Sequence, residues 1–237
     1  MTGQMPYTQL DPDRILATAV TLRRRVASRF PERGLAKVAQ EIVTLSHQTI
    51  DESRDLTPPL WWLRALIALI ILGGAFLFLS VGSVISLNQL GTSAIQSVES
   101  IEAAINTALL ASLGLAALIQ LESRIKRRRV GRGLHRLRAV IHVIDMHQLT
   151  KDPVVFTKGY QATAESPERA LSQDDLARYL DYCSELLAIK GKLAALYAQA
   201  VNDDGVAQAV NDIETLGSNL SRKIWQKITM IEALTHR

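Results

Sequence analysis

The sequence predicts an all-α protein built around an integral membrane helical hairpin. Three observations carry that expectation. Two long stretches, 65–87 and 103–121, contain no charged residue. Apolar residues elsewhere recur at three- and four-residue intervals, and no alternating strand pattern of any length competes with them. The single cysteine, Cys183, excludes a disulfide framework within the chain and fits a reducing compartment for the part outside the lipid.

The order of elements follows from local signals. Asp11 caps a helix that Pro12 begins, and Ile15, Leu22 and Val26 give it an apolar stripe. A second helix follows Pro31, with Leu35, Val38, Ile42 and Leu45 on one side, and Asp55, Thr57, Pro58 and Pro59 end it. The 23 residues 65–87 then form a helix of about 34 Å, enough to cross a bilayer. Turn signals fill 88–93, and the 19 residues 103–121 supply a second span of about 28 Å. So short a connection makes the spans antiparallel neighbours.

Past the second span, Val130, Leu134, Leu137, Ile141 and Ile144 keep the same spacing, so that helix continues as far as Asp152 and Pro153, with Gly131 and Gly133 as points of weakness. The stretch 154–167 reads as loop. Ser172 and Asp175 form a capping box for a helix from Gln173 to Val201, and residues 202–205 make a turn. In the last helix Val210, Ile213, Gly217, Leu220, Ile224, Ile228 and Ile231 approach a heptad seam, which predicts a C-terminal helical hairpin or coiled coil packing on itself or on its copies. The expected organisation is therefore N-terminal cytosolic helices over 1–58, a transmembrane hairpin over 59–122, a basic juxtamembrane helix over 123–152 and a cytosolic helical hairpin over 153–237.

Charge sets the expected orientation. Eight basic residues, Arg124, Lys126, Arg127, Arg128, Arg129, Arg132, Arg136 and Arg138, fall in one short segment with no acid among them. The chain carries +4, so the remainder is 4 − 8 = −4, and the excess belongs to that segment alone. Between Arg64 and Arg124 there is no Lys or Arg. By the positive-inside rule the connector lies outside and both termini lie in the cytoplasm, as in a multi-pass protein of the cell inner membrane. Trp61, Trp62 and Arg64 stand where interface anchors belong. The basic segment then fits the headgroups of anionic lipids, each charge adding about 1 kcal/mol. It lacks the interleaved aromatics that nucleic-acid binding uses, so no nucleic-acid partner is expected.

Candidates for chemistry are few. His135, His142, Asp145 and His147 are the densest group of metal-ligand types; the first three share one side of a helix while His147 points elsewhere, so a complete site would need ligands from another helix or subunit, and no metal or other cofactor is expected. No zinc-protease HExxH, P-loop, dinucleotide glycine turn or GxSxG elbow is present, and Cys183 reads as a packed core thiol, so no catalytic residue is assigned. In the second span Asn106 and Gln120 are two heptads apart, with Leu113 and Ala117 between them on the same face, which marks a helix interface or a pore lining, with Glu99 and Glu102 at its outer mouth. Ala104, Ala108, Ser112 and Ala116 make a small-residue row on another face, and Gly73 and Gly74 allow close packing in the first span.

The blocks HVIDMHQLTKDP (142–153) and SRKIWQKI (221–228) resemble those of uncharacterised bacterial two-span proteins. The order of parts is similar to the two-transmembrane effector modules of bacterial anti-phage conflict systems. That resemblance implies an oligomer that perturbs the inner membrane when its cytosolic helices receive a signal, and it assigns no functional residue. The expected function is a non-enzymatic, homo-oligomeric membrane scaffold or effector, with an unidentified protein partner possible. The alternatives are a subunit of an ion channel and a membrane-anchored metal-dependent enzyme.

Overall fold

A computed structural model describes residues 9–88, 94–166 and 171–235; these are mostly helical, with no strand among them. Six helices follow one another: α1 (Pro12–Arg29), α2 (Gly34–Leu56), α3 (Trp61–Asn88), α4 (Ala94–Leu149), α5 (Gln173–Ala200) and α6 (Asp204–Thr235). They divide into two compact units, one of Met1–Thr57 with Arg127–Arg237 and the other of Pro58–Lys126.

In the first unit, the starts of α1, α5 and α6 are fixed by side-chain caps. The Asp11 carboxylate accepts the N–H groups of Asp13 and Arg14 at 3.0 and 3.2 Å, with a proline opening α1. Ser172 accepts the N–H of Asp175 at 3.1 Å at the head of α5. Asp203 accepts the N–H of Val206 at 3.1 Å as α6 begins. Each cap satisfies a donor that the first helical turn leaves without a partner. Between α4 and α5 the chain forms a 3-10 turn, Pro153–Phe156, so part of the stretch read as loop is ordered by Asp152, whose side chain accepts from Val154.

One apolar core gathers these helices. Ile15, Leu22 and Val26 of α1, Leu35 and Ile42 of α2, Val130, Leu137 and Ile144 of α4, Leu180 and Leu193 of α5, and Ile213 and Ile224 of α6 all lie in it. Phe30 meets the rings of Tyr179 and Tyr182 edge-on at 5.5 and 6.1 Å. The segments that the sequence presents separately as N-terminal helices, basic helix and C-terminal hairpin thus share a single interior. The α6 seam is part of it: Val210, Ile213, Gly217, Leu220, Ile224, Ile228 and Ile231 are all buried within the chain itself. The near-heptad spacing names a buried side, and the elements that cover it belong to the same molecule.

Polar contacts pin α4 into this unit. Glu52 of α2 accepts from both Arg136 of α4 and Tyr197 of α5. Gly133 is where α4 comes close to α5, because an added Cβ would land on the Tyr197 hydroxyl and ring. Gly131, two residues earlier, has open space at the same position. Neither glycine interrupts the helix, which runs unbroken to Leu149.

Candidate membrane segment and its juxtamembrane charges

Helix α3 is apolar on every side, since its sequence between Arg64 and Asn88 offers no charge to turn towards water. In the second unit its described side chains are almost all exposed, Trp61, Trp62, Leu69, Leu72 and Phe76 among them. Leu63 is buried, and Ile67 and Ser80 are half-buried. Two helical stretches, within Gly34–Gly74 and Ile105–Phe156, are long and apolar enough to cross a membrane by length and composition. Their most apolar windows have mean hydropathy 1.6 and 1.5, and only 11% and 0% of those windows is buried. Core helices of that hydropathy would be covered.

α3 and the first part of α4 run side by side in opposite directions, and their shared end is closed by one carboxylate. Glu122 accepts the backbone N–H of Leu60 at 3.3 Å and the Arg64 guanidinium at 3.4 Å, and it pairs with Lys126 at 3.2 Å one turn along α4. Lys126 also donates to the Pro58 carbonyl at 3.0 Å. Desolvation pushes the Glu122 carboxyl upward, but the bonds from Lys126, the Leu60 N–H and Arg64 outweigh it and hold the group below the usual carboxylate range. The sequence offered only a faint signal for this clasp, namely an acid beside Leu121 with a lysine four residues on.

The polar face of the second apolar stretch points away from its neighbour. Among the described side chains of 105–122, Leu115, Leu118 and Glu122 are the half-buried ones, and at 100° per residue they lie opposite Asn106, Leu113, Ala117 and Gln120. All four of the latter are exposed, Leu113 at 68%. Ala108, Ser112 and Ala116 are also exposed, and a Cβ added at Gly73, Gly74 or Gly114 would meet nothing. The small residues therefore do not serve contact between the two helices. The side chains of Glu99, Glu102 and Ala104, and residues 89–93 of the connector, lie outside the described residues.

The eight basic residues sort into two groups. Lys126 is engaged by Glu122 and Pro58, Arg127 pairs with Asp203 at 2.7 Å, and Arg136 pairs with Glu52. The hydrogen bond from Arg127 is the first reason that the Asp203 carboxyl sits below its ordinary range. Arg124, Arg128, Arg129, Arg132 and Arg138 are exposed and make no ion pair among the described residues. Spacing alone could not separate these groups, because the acids that take up Arg127 and Arg136 come from distant parts of the chain.

The metal-ligand candidates do not converge. His135 and His142 are exposed, Asp145 accepts from Gln148 at 2.6 Å, and His147 fills the space beside Gly34. No group of three His, Cys, Asp or Glu suited to a metal occurs among the described residues. Cys183 is fully buried, and burial pushes its thiol up to about 12 despite nearby Lys227 and Lys151. A thiol so held supplies no thiolate at neutral pH.

No protein-family model, curated protein or solved structure matches this chain.

Proposed function

We propose that this chain is a non-enzymatic two-pass protein of the cell inner membrane, acting as an oligomeric membrane scaffold or membrane-perturbing effector. Segments 65–87 and 103–121 cross the bilayer as a hairpin, and both termini lie in the cytoplasm. The observation that carries this reading is the outward-facing apolar surface of the hairpin, closed at one end by charged and polar groups around Glu122. Trp61, Trp62 and Arg64 mark that end, as interface anchors do. The exposed arginines Arg124, Arg128, Arg129, Arg132 and Arg138 take the phosphates of anionic lipids.

Self-association runs through the hairpin. The α6 seam is occupied at home, which leaves the face of Asn106, Leu113, Ala117 and Gln120 as the surface with a reason to meet another copy, since amides in lipid need partners. The same polar face favours a second reading, an ion-conducting oligomer lined by these four residues.

Topology is tested with a thiol at position 93 in a Cys183→Ser background: an impermeant reagent should label Ser93→Cys from the periplasmic side of intact cells, and the protein should resist carbonate extraction. Labelling only after lysis, or release by carbonate, sinks the membrane reading. Mass determination in mild detergent should show an oligomer that Asn106→Leu with Gln120→Leu weakens. A monomer under all conditions removes the scaffold. Ion flux from proteoliposomes that the same double change leaves untouched removes the channel.

A further inference from the structure

Lys190 lies near the middle of α5 with no exposure to solvent. Its Nζ donates to the main-chain carbonyl of Leu137, in the middle of the core-facing side of α4. Among the described residues no carboxylate accompanies it. An ammonium group carries three donors, and only one is served here, so a charged Lys190 would leave two N–H groups and a full charge in an apolar interior. A neutral amine fits the same space with far less penalty.

The charged groups on the packed elements are engaged elsewhere or exposed. On α2, Glu52 is held by Arg136 and Tyr197, while Lys37, Glu41, His47 and Asp51 are exposed. On α1, Arg25 pairs with Glu185 and Arg29 with Asp175. On α4, Arg138, His135 and His142 face outward. On α6, Glu214 stands in a cleft of about 370 Å³ beside Gly191, and Lys227 reaches Gln148. On α5 itself, Lys192 is exposed, Tyr197 is committed to Glu52, and Tyr179 and Cys183 are buried, which raises the pKa of each and keeps it uncharged.

We propose that Lys190 is an acid-sensitive latch between α4 and α5, seated in the core as the neutral amine and expelled from it once protonated. Protonation then loosens the α5–α6 pair from Leu137 and opens the helical unit. Burial is the influence that acts on the group, lowering its pKa from the ordinary lysine value to about 6. An unfolded lysine titrates near about 10.4. Between those values the unfolded chain holds a proton that the folded chain lacks. Stability therefore falls as pH drops towards 6 and levels off below it. The latch belongs to the core of the helical unit and stands whether or not the hairpin crosses a bilayer.

Two measurements on the full chain in detergent test it. Amide-exchange protection around Leu137 and Lys190, corrected for the intrinsic pH dependence, should fall by up to about tenfold per pH unit between pH 8 and 6. Lys190→Met should abolish that part of the profile. In the wild-type protein, ¹³Cε-labelled lysine should show one signal that titrates near pH 6 and is missing from Lys190→Met. An unchanged pH profile in Lys190→Met overturns the latch. If that variant does not fold, the wild-type titration decides alone, and the absence of any lysine signal titrating near pH 6 overturns it equally.

Discussion

Ile224 in α6 and Leu180 in α5 have no solvent exposure, whereas Leu69 and Leu72 in α3 are each 69% exposed, although all four are large aliphatic residues on helices. The difference lies in how their neighbours are arranged. α6 carries its apolar residues on one side, at positions 213, 220, 224, 228 and 231, with charges on the other, so a single packed layer satisfies it. α3 is apolar all round, and among its described side chains only Leu63, Ile67 and Ser80 are covered even in part. Composition alone would rank α3 as the better core helix. Its periodicity shows that no neighbour within the hairpin can cover it, so it needs either more protein or a different solvent.

The strongest way to break this comparison is to place charge in α3. Leu72→Arg together with Phe76→Arg should cost about 5–7 kcal/mol of bilayer insertion. The readout is the carbonate-resistant fraction in membranes, which should collapse. If the double variant fractionates and folds as the parent does, the exposed apolar surface of α3 is not made for lipid.

A smaller effect separates the two environments residue by residue. Ile224→Ala should destabilise the helical unit by about 2–5 kcal/mol, since it leaves a cavity in a closed core. Leu113→Ala, on an exposed face, should leave the monomer's thermal unfolding unchanged while altering its self-association. Equal losses of thermal stability for the two would contradict the burial described for them.

The smallest effects are expected at two glycines that lie two residues apart, on nearly opposite sides of α4. Gly133→Ala forces the added methyl against Tyr197 and should destabilise by about 1–3 kcal/mol. Gly131→Ala meets open space and should stabilise by about 1 kcal/mol through helix propensity. Denaturant midpoints of the pair should move in opposite directions, and movement in the same direction would remove the close approach at Tyr197.

These contrasts also show what could be read in advance. The all-α class was legible because caps and periodicity are local: Asp11 with Pro12, and Ser172 with Asp175, announce helix starts within four residues. The Asn106, Leu113, Ala117 and Gln120 face was legible for the same reason, since its members repeat along one helix. Long-range pairs left no such trace. Nothing near Arg136 or Arg127 points to Glu52 or Asp203, so the basic segment reads as eight equivalent cations when five are exposed and unpaired. Lys190 was hidden by its type, since a lysine within a helical pattern normally signals the wet side. For α6, spacing identified the covered side correctly but carried no information on whether cover comes from the same chain or from a copy.

That last point bears on how copies of the protein can meet. Because α6 already spends its apolar side inside its own fold, a second molecule reaches it only by displacing the resident helices. Joining through α6 is then an exchange of equivalent arms, hinged at the short linker 201–203. Such swapping is limited by opening of the monomer, so it is slow and favoured by crowding or by whatever loosens the bundle.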